Sequence, residues 1–229
     1  MALQRPASQD LVSLRQIFAT IDAESCPRSY NFHMHTNHSD GQLRPDTLAQ
    51  QALEIGLKGF AITDHHQISG FYAVQAYLAD WQHRAENRDK AIPQLWTGME
   101  VTSQLLEVEV HILGYAFNPH HSALAHYLTG DAPQGVHADA DRVVSAIHQA
   151  GGLAVLAHPA RYRKDKADLI PAAVAIGIDG VETYYAYNNP KPWQPSPAET
   201  QAVRKLSQKY HLLNTCGTDT HGLNLEHRV

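Results

Sequence analysis

The chain has 229 residues, 43% of them hydrophobic and 18% charged, with a formal charge of −5 at pH 7. That length suits one globular domain near the upper end of what a single core supports. The negative balance argues against broad attraction to nucleic-acid backbones, and two cysteines, Cys26 and Cys216, without CxxC spacing argue against a disulfide scaffold.

No apolar run approaches the roughly 20 residues that span a bilayer. The N-terminus lacks a charged-then-apolar signal pattern, and Asp10, Asp22 and Glu24 argue against a transit peptide. The expectation is a cytoplasmic protein with no membrane partner and no long nucleic-acid surface. A short nucleic acid held at a local site stays open. No internal repeat or low-complexity tract is visible.

Residues 8–24 place Leu11, Leu14, Ile17, Phe18 and Ile21 at helical spacing, with Ser8 as the candidate N-cap. This stretch is expected to form a packing helix within residues 1–28, ended by Pro27. Short apolar runs then alternate with amphipathic stretches over 29–229. Strands are expected at 30–36, 59–64, 95–101, 108–116, 153–157, 180–185 and 212–217. Helices are expected at 45–56, 70–86, 137–150, 166–176 and 197–210, with Gly56, Gly151, Gly152 and Gly177 at their stops. Such alternation predicts an α/β domain with parallel strands, either a barrel or a doubly wound sheet. Residues 188–197 form a Pro-rich loop.

The ends of the predicted strands carry the chemistry. The first delivers His33 and His35, with Asp40 shortly after; the second delivers Asp64, His65 and His66; the third, Glu100; the fourth carries His111. The fifth ends at His158 and the last at Asp219 and His221. In a parallel barrel the carboxyl ends of the strands share one face, where active sites form. His33 and His35 are two apart and point the same way on a strand, as do Asp219 and His221. Imidazoles and carboxylates together suit divalent zinc, manganese or iron. So many donors exceed one ion's needs, so two or three metals are expected.

The motifs "HMHTNHSDG", "ITDHH", "GME", "HILGY", "AHP" and "GTDTH", in this order over roughly residues 30–222, resemble the PHP (polymerase and histidinol phosphatase) superfamily. The resemblance implies a distorted, TIM-like seven-stranded (β/α) barrel with an extra N-terminal helix. It also implies a trinuclear centre that hydrolyses phosphate esters. Carried over by motif, one metal takes His33, His35, Glu100 and Asp219; a second shares Glu100 and adds His111 and His158; the third takes Asp40, His65 and His221.

Within that superfamily "HTNHSDG" and "AHPARY" are most similar to small phosphoesterases acting on nucleotides and short RNA, including a nucleoside 3′,5′-bisphosphate phosphatase with 5′–3′ exoribonuclease activity. Members of that subgroup carry a sizeable insert between the glutamate and the "AHP" histidine. Here only residues 101–157 intervene, so the base-recognition cap is expected to be reduced or missing.

The resulting expectation is a metal-dependent phosphoric ester hydrolase acting on nucleotides or short RNA or DNA ends, with hydroxide held between metals attacking phosphorus in line. Glu100 would bridge metals, and Asp64 would orient a ligand histidine. Arg161 would grip phosphate as a planar fork. Tyr184 is a candidate to stack on a base or sugar, with Tyr185, Tyr187 and Trp193 as its neighbours in that role, and His38 is a candidate to touch substrate. Plain packing or solvation is the competing account of each. His66 is expected to face solvent or support a ligand. His83, His120, His121, His126, His137, His148, His211 and His227 fall on predicted helices or loops and read as solvated. The alternatives are a histidinol-phosphate phosphatase on the same scaffold and, from a different class, a non-catalytic binding module in which the metals are structural.

Overall fold

The computed structural model describes residues 7–229. The first six residues of the expected 1–28 segment lie outside that range. Helix α1 (Leu11–Phe18) is shorter than the periodicity predicts and is capped by Asp10, whose side chain accepts from the Ser13 amide at 3.0 Å. Ser8 does not cap it; its carbonyl accepts from the Thr97 amide instead. Nor does Pro27 end it. The Thr20 amide and hydroxyl both turn back onto the Ile17 carbonyl at 2.8 Å, which closes the helix seven residues earlier. Leu14 and Phe18 are fully buried, and the Phe18 ring meets Phe32 edge-on at 4.8 Å.

The elements then run β1 (Tyr30–Asn31), α2 (Pro45–Ile55), β2 (Gly59–Ala61), α3 (Ser69–His83), β3 (Gln94–Trp96), β4 (Gly98–Leu105), β5 (Val108–Tyr115), α4 (Ala140–Gln149), β6 (Leu153–Leu156), α5 (Lys166–Ala175), β7 (Gly180–Tyr184), α6 (Pro197–Lys209) and β8 (Leu213–Cys216). Proline opens α2 and α6 at a position where its missing N–H costs nothing, and Gly56 at φ 78° closes α2. No helix among the described residues is long and apolar enough to cross a membrane.

The α/β expectation holds, but one closed seven-stranded barrel is not what the strands form. Among the described residues eight strands make two sheets, β1-β2-β3 and β4-β5-β6-β7-β8. The predicted third strand is broken at Thr97 into β3 and β4, and β4 runs on to Leu105. It then reverses through Leu106 and Glu107, both at positive φ, into β5. Strand β5 is therefore antiparallel to β4 and β6, whereas β1-β2-β3 and β6-β7-β8 are parallel. The reversal changes which end of β5 matters. His111 lies in its first half and pairs with Thr102, so β5 brings its amino-terminal half toward the face that the parallel strands reach with their carboxyl ends.

The two sheets meet through single bridges. Beyond β1, the His35 amide bonds to the Thr220 carbonyl at 3.1 Å, and the Asp219 amide to the His33 carbonyl at 2.8 Å. Beyond β2, the His66 amide bonds to the Glu100 carbonyl at 3.0 Å. These bridges hold the chemistry-bearing residues. They leave the ladder backbone bonds without leaving the buried interior, and their polar side chains are drawn inward rather than to solvent.

Candidate metal centre

Glu100 sits on β4 at the middle of five imidazoles and is 1% exposed. Its Oε2 lies 3.1 Å from His33 Nε2, 3.1 Å from His35 Nε2 and 3.4 Å from His65 Nε2. Its Oε1 lies 2.7 Å from His111 Nδ1 and 3.5 Å from His158 Nε2. One carboxylate thus addresses two groups of nitrogens with different oxygens.

Asp219 Oδ1 faces the same centre, 3.4 Å from His33 Nε2 and 3.2 Å from His35 Nε2. His221 Nε2 meets Asp40 Oδ2 at 3.1 Å. Asp40 arrives on the turn after His35, where Gly41 is required: a Cβ there would stand 2.5 Å from the His35 carbonyl oxygen. His158 and Asp219 adopt positive φ, 26° and 53°, a conformation costly to a non-glycine residue and often found where function imposes it.

Among the described residues, three sets of donor atoms lie within 4.8 Å of one another: His33, His35, Glu100 and Asp219; His35, Asp40, His65 and His221; and His65, Glu100 and His111. Eight of the nine expected donors fall in these sets. The first set coincides with the expected one. The others differ from expectation in detail, because His35 joins Asp40, His65 and His221, and His65 rather than His158 groups with Glu100 and His111.

The electrostatics suit a cation. Burial would raise the Glu100 carboxyl, but His33 and His111 hold it well below the usual carboxylate range. Burial opposes a proton on His33, but Glu182, Glu100 and Asp219 push its pKa well up. His35, against the same burial, is raised to about 9 by Asp219 and Glu100. His65 falls to about 4, mainly through burial. Nδ1 of His35 and Nδ1 of His158 are buried without a hydrogen-bond partner. Orphaned buried nitrogens are costly, and divalent ions would satisfy them with a nitrogen–oxygen donor set of the right chemistry.

Several supporting residues were not legible in the sequence. Glu182 on β7 is fully buried; its Oε1 lies 2.9 Å from His33 Nδ1, and its Oε2 accepts from the His158 amide at 2.9 Å. Arg228 Nε donates to Asp219 Oδ2 at 2.8 Å. Tyr185 OH donates to the same oxygen at 2.7 Å.

Asp64 does not orient a ligand histidine. It is buried, and it accepts from the Thr36 amide and hydroxyl at 2.6 and 2.7 Å and from the Ser39 hydroxyl at 2.9 Å. It therefore organises the turn that carries Asp40. Tyr184 does not face the centre either. It is 3% exposed and packs with Leu14, Phe18 and Trp193 in the apolar cluster under α1. The cause is a register shift between Glu182 and Tyr184 where β7 pairs with β8; such an irregularity breaks the period of two and leaves Tyr185 as the ring that reaches Asp219. His38 is exposed and bonded to Ser69 at 2.8 Å, outside the three donor sets. His66 is buried rather than solvated, with Nε2 on Thr102 at 3.1 Å. Arg161 is half-exposed, with Nη1 3.4 Å from Asp219 Oδ2.

An α/β fold with a buried His/Asp/Glu centre able to bind metal defines the class. Within it the chain belongs to the PHP family: the PHP domain model matches residues 31–214. The 5′-3′ exoribonuclease Rnm of Salmonella typhimurium is 23% identical over 263 aligned residues, covering 84% of this chain and 85% of the relative. That alignment is longer than this 229-residue chain, so the relative carries residues with no counterpart here. The phosphoribosyl 1,2-cyclic phosphate 1,2-diphosphodiesterase of Eggerthella lenta is 34% identical over 86 residues, 38% of this chain and 29% of the relative. A structure assigned as a metal-dependent phosphoesterase from Bifidobacterium adolescentis superposes with a TM-score of 0.67 at 21% identity, over 86% of this chain and 88% of that one. Family and relatives together place the chain among the PHP phosphoesterases, with a centre able to bind metal.

Proposed function

We propose that the chain hydrolyses phosphate esters of nucleotides or short oligonucleotide ends, with two to three divalent manganese, iron or zinc ions held by His33, His35, Asp40, His65, Glu100, His111, His158, Asp219 and His221. The observation that carries this reading is the divided carboxylate of Glu100, with one oxygen turned to His33, His35 and His65 and the other to His111 and His158. Ions bound there would supply Lewis acidity at phosphorus and water of lowered pKa.

The residues of the chain do the rest. Glu182 fixes the His33 ring with Nε2 toward the centre, and Asp64 steadies the Asp40 turn through Thr36 and Ser39. Half-exposed Arg161 reaches from Asp219 toward solvent, where a bidentate grip on a phosphate is open to it. No side chain is assigned as nucleophile.

The named activity of the exoribonuclease relative supports the nucleotide end of the substrate range. The short span between Glu100 and His158, residues 101–157, supports a reduced base-recognition cap, and hence loose preference among bases. The test compares kcat/KM on 5′-phosphorylated short RNA, nucleoside 3′,5′-bisphosphate and histidinol phosphate. Preference for the nucleotide substrates supports the reading, and preference for histidinol phosphate overturns its substrate assignment.

A further inference from the structure

The two oxygens of Asp219 are treated differently. Oδ1 faces His33 and His35, whereas Oδ2 is turned away and held by Arg228 Nε at 2.8 Å, Tyr185 OH at 2.7 Å and, more loosely, Arg161 Nη1 at 3.4 Å. The Arg228 side chain is 20% exposed against 46% for Arg161, so its grip is the more shielded of the two cationic ones.

Arg228 reaches Asp219 because residues 222–229 fold back along the segment after β8 that bears it. Leu225 is fully buried. Its carbonyl accepts from Asn31 Nδ2 at 3.3 Å, Thr218 Oγ1 at 2.9 Å and Thr220 Oγ1 at 3.1 Å, and its amide donates to Gln51 Oε1 at 2.9 Å. The Arg228 carbonyl accepts from the amides of His221 and Gly222 at 2.6 and 3.1 Å. Thr218 and Thr220 flank Asp219, and His221 is itself one of the donors. The returning segment and the centre therefore share one stretch of backbone.

We propose that Arg228 is a positioning residue for Asp219: by holding Oδ2 it leaves Oδ1 as the single ligating oxygen, so that docking of residues 222–229 and metal occupancy of the His33–His35–Glu100–Asp219 set reinforce each other. A carboxylate free to rotate must be ordered by the ion that binds it, whereas a charge-assisted hydrogen bond orders it beforehand. The guanidinium charge acts against a cation, but outer partners of ligating groups still raise affinity about 10–100-fold in measured sites. Linkage then requires the ion to strengthen docking by the same factor that docking strengthens the ion.

This inference rests on the metal reading above, and the experiment separates the two. In full-length protein, Mn²⁺ or Zn²⁺ affinity is measured by competition with a chromophoric chelator, and amide hydrogen exchange at Gly222 and Leu225 is followed with and without metal. Arg228→Ala is expected to bind about 10–100-fold more weakly, and Arg228→Lys to recover part of the loss, because a point charge replaces the planar fork. Metal is expected to slow exchange at both amides about tenfold or more in the wild type and much less in Arg228→Ala. Leu225→Ala, which undocks the segment but keeps the guanidinium, is expected to weaken metal binding as well. Wild-type affinity in Arg228→Ala, or exchange indifferent to metal in the wild type, overturns this inference alone. Wild-type protein that binds no metal overturns the metal reading and this inference with it.

Discussion

Glu182 Oε1 lies 2.9 Å from His33 Nδ1, and both residues are fully buried. The contact fixes the ring so that Nε2 is the nitrogen offered to Glu100 and Asp219. Glu182→Gln keeps the size and the option of a hydrogen bond but loses the charge. We expect metal affinity to fall about 10–100-fold, read by chelator competition. Unchanged affinity would mean that the carboxylate only fills space.

Glu100→Gln removes the charge shared by the two groups of imidazoles. Turnover should fall at least about 10²-fold, with fewer ions retained per chain. Steady-state kinetics and elemental analysis on the same preparation check this. Near-normal turnover would place Glu100 outside the reacting set.

Arg161→Ala distinguishes two ways of holding phosphate. If Arg161 grips an oxygen equally in ground and transition states, KM rises and kcat stays. If it meets charge that develops only in the transition state, kcat and kcat/KM fall together by roughly 2–4 kcal/mol of barrier. Lys164→Ala is the control and should be silent. Silence in both variants would return Arg161 to the solvated loop.

Asp179 gives a pH prediction remote from the centre. Burial would raise its carboxyl, but His148, the Ala154 amide and Arg15 of α1 lower it below the usual carboxylate range. A carboxyl depressed in the folded state contributes stability that is present above its unfolded value, about 3.8, and is lost as pH falls through the folded value. Asp179→Asn should therefore lower Tm at pH 7 and cost less as pH drops below about 4. A Tm deficit that stays constant across that range would contradict the assignment.

How far the sequence discloses all this depends on residue type. Histidines and aspartates at the ends of apolar runs are improbable by chance, so His33, His35, His158, Asp219 and His221 stand out. Glu182 does not, because one glutamate in "GVETY" looks like any exposed strand position until its partners are known. The β7 irregularity that exchanges Tyr184 for Tyr185 leaves no sequence mark. The tight turn at Leu106 and Glu107 lacks the Asn-Gly or Asp-Gly pair that usually announces positive φ, which hides the β4–β5 hairpin and the reversal of β5. Arg228 is visible only once residues 222–229 are seen to fold back, a long-range contact that no local pattern encodes.

The most direct measurement is hydrolysis of a 5′-phosphorylated short RNA and of a nucleoside 3′,5′-bisphosphate by metal-stripped protein, followed as Mn²⁺ is added by equivalents. The account predicts no turnover without metal, a rise that saturates at two to three ions per chain, and its loss on chelation. Protein that takes up the ions and still hydrolyses neither substrate would contradict it and point to a structural metal site.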